Sequence, residues 1–217
     1  MPESARRIPR LGWAIAFIAV TTLMAMAWVN LKGTRPTQMA DLPVFAQVPD
    51  FTFTSQTGAS VSREDLLGDV WVANFIFTRC PNPCPIMTDR MMELQKAIQR
   101  KGGDVQLVTV TVDPSHDTPE VLAAYAAKFD ADPAIWSFLT GDPEKIEEFV
   151  IKGMLQPLAT DPTGVPSHSQ RFLVVDAAGG LRSFHDLDDP ELMPKLLMDI
   201  GKLLREFKSK PKVENPS

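Results

Sequence analysis

Cysteine is scarce in this chain: there are two among 217 residues, beside one tyrosine and three histidines. Two thiols exclude a disulfide-dense mini-scaffold and leave one disulfide, one two-thiolate metal site, or two free thiols. Basic excess is also missing, since 22 Lys and Arg stand against 27 Asp and Glu for a net charge of −5. Phosphate recognition needs clustered Lys and Arg, so nucleic acid is excluded as the main partner. There is no internal repeat and no low-complexity segment. With 44% hydrophobic and 23% charged residues, the composition is neither collagenous nor disordered. The length allows one sizeable core plus an appendage, not two average domains.

The charge that is present is uneven. Residues 1–44 carry Arg6, Arg7, Arg10, Lys32 and Arg35 against Glu3 and Asp41, a net of +3 that leaves −8 on the body. Residues 11–29, LGWAIAFIAVTTLMAMAWV, contain no charge. At about 1.5 Å per residue such a helix matches the hydrocarbon thickness of a bilayer. Three positive charges before the run and two after it place the N-terminus in the cytoplasm and the body outside. Ala25-Met26-Ala27 has the form of a signal cleavage site, but the apolar run exceeds the usual signal core of about 7–15 residues, which favours a retained anchor. Either way residues 30–217 are exported into an oxidising compartment, where reduced thiols need a reason to persist.

The body alternates strand and helix signals. Gly33, Pro36, Pro43 and Pro49 mark 30–48 as a linker. Phe51–Thr54 alternates as a short strand, followed by a turn at Ser55–Gly58. Val70–Phe77 and Val105–Val112 are nearly continuous apolar runs, the pattern of strands buried on both faces. Trp136–Thr140 and Arg171–Val175 are further strands, and Ala177–Gly180 is a hairpin turn leading into Leu181–Phe184. Thr118-Pro119-Glu120, Asp142-Pro143-Glu144 and Asp189-Pro190-Glu191 each read as a helix start with an oxygen cap, Pro in the first turn and an acid near the dipole's positive end. Met87, Met91, Leu94 and Ile98 form one helix stripe, and Leu196, Ile200, Leu203 and Phe207 another. The methionines read as core, not as copper ligands. The implied class is α/β, a central sheet covered by helices on both faces. Residues 208–217 read as a flexible tail.

Cys80-Pro81-Asn82-Pro83-Cys84-Pro85 follows the buried strand and opens a helix, where open α/β sheets place their ligands. A helix N-terminus at Cys84 would favour its thiolate. The pair alone is open to three readings: a structural disulfide, a redox dithiol, or a two-thiolate metal site. A third donor bears on the choice. Residues 153–167 form a long connection without periodicity, which puts His168 at the start of the next strand on a mobile flap. Two thiolates and one imidazole suit Cu(I) and can hold Cu(II), whereas structural zinc would want a fourth ligand. On spacing alone a satisfied or surface histidine remains the plainer reading of His168. His116 reads as a loop residue and His185 as a solvent-exposed strand end.

The chain resembles the Sco/SenC family of copper-binding thioredoxin-fold proteins over about residues 49–205. The resemblance rests on Asp50-Phe51, Leu66-Leu67-Gly68, Phe75–Thr78, the Cys80–Pro85 loop, Val112-Asp113-Pro114, Asp117-Thr118-Pro119, Tyr125, Phe129, Trp136–Gly141, and His168-Ser169 before Phe172–Asp176. It implies a thioredoxin-like domain over 49–207, anchored by a transmembrane helix at 11–29 behind a cytoplasmic flank at 1–10. It further implies one copper held by Cys80, Cys84 and His168. The expected setting is single-pass in a bacterial inner membrane, with the domain on the periplasmic side. The implied partner is a copper-accepting oxidase subunit or another exported thiol protein. The implied role is copper delivery for oxidase assembly, with thiol–disulfide exchange by Cys80 and Cys84 as the alternative. Ser167 stands where the family usually has Asp before the histidine, and Asn82-Pro83 is not the commonest filling of the loop.

Overall fold

The computed structural model describes residues 10–33, 41–102, 105–160 and 166–209. The chain divides into two compact units, Met1–Asp41 and Leu42–Ser217. In the first, helix α1 (Arg10–Gly33) takes up the whole uncharged run. The large apolar side chains described on it, Trp13, Phe17, Ile18, Val20, Leu23, Met24, Met26 and Trp28, are all more than half exposed. Thr21 and Thr22 turn their hydroxyls back onto the carbonyls of Phe17 and Ile18. Among the residues described here, no helix is long and apolar enough to cross a membrane. The basic flank at 1–9 lies outside the described residues.

The second unit is built on one eight-stranded sheet. Its strands are β1 (Ala46–Gln47), β2 (Thr52–Ser55), β3 (Ser60–Ser62), β4 (Val70–Ile76), β5 (Val105–Thr111), β6 (Trp136–Thr140), β9 (Arg171–Val175) and β10 (Gly180–Asp186), in the order β1-β10-β9-β4-β5-β6-β2-β3. The pairs β4/β5 and β5/β6 are parallel and every other neighbour is antiparallel. All seven residues of β4 are buried, as its continuous apolar run requires of a central strand covered on both faces. A separate antiparallel pair, β7 (Leu158–Thr160) with β8 (Pro166–His168), stands apart from the main sheet and ends on His168.

Helix α2 (Cys84–Lys101) links β4 to β5 and buries Met87, Met91, Leu94 and Ile98, so that stripe is core. Helices α3 (Pro119–Ala127) and α4 (Pro143–Glu148) start where their caps lie, with Thr118 accepting from Val121 N and Asp142 from Lys145 N. A π-turn over Phe149–Gly153 extends α4. Helix α5 (Leu192–Ser209) buries Leu196, Ile200 and Leu203.

Several expectations need correction. Asp189-Pro190-Glu191 does not start α5: Asp189 Oδ1 accepts from Glu191 N in a turn, and the helix begins at Leu192. Phe207, expected in the buried stripe, is 45% exposed. The linker drawn over 30–48 is shorter on both sides, since α1 continues to Gly33 and Ala46–Gln47 pairs with β10. That edge is fixed by Arg182, which is 4% exposed. Its guanidinium donates to the carbonyls of Leu42 and Pro43 and pairs with Asp176 and Glu206. His185 is buried, not a solvent-exposed strand end. α5 covers β10, and His185 Nε2 lies 3.3 Å from Asp199 Oδ2 and 3.1 Å from Ser183 Oγ. His116 lies in a loop, as its context implied, and is exposed. Residues 210–217, most of the expected tail, lie outside the described residues.

Candidate metal and redox site

The site sits past the C-terminal ends of the parallel strands β4 and β5. The chain leaving β4 is stapled there by Asp117, a fully buried carboxylate. Asp117 accepts from Thr78 N at 3.0 Å and from the hydroxyls of Thr78 and Thr111. Arg79 pairs with Asp113 on the outside of the same turn. The Asp113–Asp117 motif therefore shapes the approach to Cys80, a role that spacing alone did not reveal.

Cys80 and Cys84 are both free thiols and both buried. Cys84 is the first residue of α2, and Pro83 occupies the cap position without a side-chain cap. The expectation that this helix end favours a thiolate is not met. Burial pushes the Cys84 thiol up, and the neighbouring Cys80 thiol adds to that shift. Desolvation of a sulfur with no exposed surface outweighs the dipole at the helix start. One layer further in, Thr88 donates to the Cys84 carbonyl and contacts the Tyr125 hydroxyl at 3.0 Å. Burial pushes the Tyr125 phenol up to about 12, so it remains a neutral partner.

His168 is brought to this pair by the β7/β8 arm. Its Nε2 is 3.4 Å from Cys84 Sγ. Its Nδ1 is 2.8 Å from the Ser169 carbonyl. A carbonyl only accepts, so Nδ1 carries the proton and Nε2 presents its lone pair to the sulfur. Burial holds the His168 pKa below its ordinary value, with the Ser169 carbonyl opposing, so the imidazole is neutral at pH 7. Phe77 packs edge-on to the ring at 6.2 Å. The connection expected to lack structure over 153–167 thus contains a strand pair, while 161–165 lie outside the described residues. Ser167 is exposed and pairs with Ala159, and the Nδ1 acceptor is a main-chain oxygen one residue beyond the histidine.

The three expected site residues are therefore neighbours in series, Cys80 to Cys84 to His168. Among the described residues they do not stand as a ready-made cage of three metal donors. Metal binding at thiols displaces their protons. A cleft of about 570 Å³ lined by Pro49, Phe51, Phe53, Lys145, Phe149 and Lys152 includes none of them. Chemically the cluster offers two buried thiols and one neutral imidazole nitrogen. That set suits a soft cation or thiol–disulfide exchange.

Comparison with known proteins points the same way. The SCO1 protein homolog of Bacillus subtilis is 39% identical over 140 residues, 63% of this chain and 72% of that protein. The structure of BsSco, described as having a disulfide switch and as a member of the Sco family of cytochrome c oxidase assembly proteins, is 32% identical. It superposes with a TM-score of 0.70 over 80% of this chain and 100% of that one. ScoI of Bradyrhizobium japonicum, solved with copper bound, is 26% identical with a TM-score of 0.63 over 73% of this chain and 100% of that one. Its fold is thus the α/β, thioredoxin-like Sco fold, and the SCO1/SenC family model matches residues 41–204, so the chain belongs to the SCO1/SenC family.

Proposed function

We propose that this protein binds one copper ion through Cys80, Cys84 and His168 and delivers it, from the outer side of a bacterial inner membrane, to a cysteine-bearing subunit of a respiratory oxidase. The observation that carries this reading is the bare Nε2 of His168 facing Cys84 Sγ at 3.4 Å. The donor set fits copper. Two thiols and a neutral imidazole match a soft ion of low coordination number, and copper is the metal in solved structures of the family. Loading displaces the thiol protons. The test is an anaerobic Cu(I) titration of the reduced full-length protein in detergent, beside His168→Ala. One equivalent held by the parent and much weaker binding by the variant is the expected result. Equal binding by the two would remove His168 from the site.

A second reading is thiol–disulfide exchange, favoured by two free, buried thiols on one strand-to-helix loop. In that reaction the two thiols pass two electrons and two protons to a client disulfide. Cys80 and Cys84 become a disulfide and the client becomes a dithiol. A reduction potential between about −180 and −270 mV supports it, and one below about −300 mV marks a structural bridge instead.

Membrane attachment through residues 11–29 belongs to the same proposal. The large exposed apolar side chains described on α1 need lipid or protein around them. The inward-turned hydroxyls of Thr21 and Thr22 suit a medium without water.

A further inference from the structure

His168 is held by a hydrogen-bond chain that begins on a different element. Gln156 is 1% exposed and follows the π-turn. Its Nε2 donates to the carbonyls of Met154 at 2.9 Å and Leu155 at 3.0 Å. Both partners are acceptors, so the amide has one possible orientation and its Oε1 faces Ser169. Ser169 Oγ lies 2.6 Å from that oxygen and must donate to it. The Ser169 carbonyl in turn takes the proton of His168 Nδ1. Leu155 has a φ of +54°, a left-handed conformation unfavourable for a branched residue, and it is there that both carbonyls converge on the one amide.

Each link in this chain has its direction set by chemistry. The main-chain carbonyls fix the Gln156 amide, the amide fixes the Ser169 hydroxyl, and the hydroxyl holds the segment whose carbonyl selects the histidine tautomer. A metal-binding imidazole needs its other nitrogen held in this way, because rotation or tautomer exchange would withdraw the lone pair from the metal. Gln156 and Ser169 touch neither thiol among the described contacts, so their effect on the site passes through His168.

We propose that Gln156 and Ser169 are positioning residues that select the Nδ1–H tautomer of His168 and aim its Nε2 at the thiol pair. This rests on the reading of His168 as a copper ligand.

The test uses reduced, full-length protein in detergent with Ser169→Ala, Ser169→Thr, Gln156→Met and His168→Ala. Cu(I) affinity is read by chelator competition and the metal-free His168 tautomer by long-range nitrogen NMR, with thermal midpoints to show that each variant folds. Ser169→Ala and Gln156→Met should each weaken Cu(I) binding by about tenfold or more. Both should replace the single Nδ1–H signature with a tautomer mixture. Ser169→Thr, which keeps the hydroxyl, should restore parental binding. In the His168→Ala background, Ser169→Ala should have no further effect. Ser169→Ala deletes only one hydroxyl and keeps the test readable should Gln156→Met fold poorly. Parental affinity and an unchanged tautomer in both variants would overturn the inference while His168→Ala still binds weakly. Parental affinity in His168→Ala would instead overturn the copper-ligand reading on which it rests.

Discussion

His168 Nε2 and Cys84 Sγ meet at 3.4 Å although 84 residues of chain separate them. The nitrogen has no proton to give, so the thiol donates to it and the reduced pair is stabilised. Oxidation of Cys80 and Cys84 to a disulfide removes that donor and both sulfur ligands together. Redox state should therefore gate copper. The oxidised protein should bind no tight Cu(I), and thiol reduction should restore one equivalent, read by titration before and after. Tight binding by the oxidised form would exclude a two-thiol site.

Asp117 is the second testable point. Three donors converge on its buried carboxylate, two of them from Thr78, which lies two residues before Cys80. Asp117→Ala leaves all three unpaired and should cost about 3–5 kcal/mol of stability by denaturant unfolding. Asp117→Asn keeps one acceptor and should lose less. A loss under about 0.5 kcal/mol for Asp117→Ala would show that the staple has no structural role.

Arg182 gives a third. It joins β10, α5 and the carbonyls of residues 42 and 43 from a site that is nearly closed to solvent. Asp176 and Glu206 keep some exposure, so its removal should fall at the lower end of the buried-pair range, about 3 kcal/mol for Arg182→Met. Arg182→Lys should recover only part, because an ammonium cannot reproduce the planar fork. Urea midpoints of the parent and both variants check this order.

His185 sets a pH dependence. Burial lowers its pKa, against the pull of Asp199 and Asp189, which raise it. The unfolded chain takes up this proton near pH 6.5 while the folded one resists it until a lower pH. The unfolded state thus binds more protons in that window, and stability should fall as pH drops from about 7. His168 is shifted in the same direction and adds to the slope. His185→Gln should make the fall in Tm between pH 7.5 and 5.5 shallower without abolishing it. An unchanged slope would remove His185 from this role.

Helix α1 supplies the last prediction. The full-length chain should stay with membranes through an alkaline carbonate wash, and a chain lacking residues 1–40 should be soluble. The intact mass of the membrane form distinguishes a retained anchor from cleavage after Ala27. Release of the full-length, uncleaved chain by carbonate would oppose anchoring.

Much of this protein is written in local patterns. The continuous apolar runs of β4 and β5, the methionine stripe of α2 and the caps at Thr118 and Asp142 depend on neighbours within a few residues, so sequence alone determines them. The same holds for the thiol pair at the strand-to-helix junction. What required the tertiary structure depends on residues far apart in the chain. Burial of His185 follows from Asp199 on α5, and the staple at Asp117 from Thr78 and Thr111. The raised Cys84 thiol follows from desolvation, which no spacing encodes. The tautomer of His168 is set by Ser169, and Ser169 is held by Gln156, because hydrogen bonds assign direction only once both partners are in place.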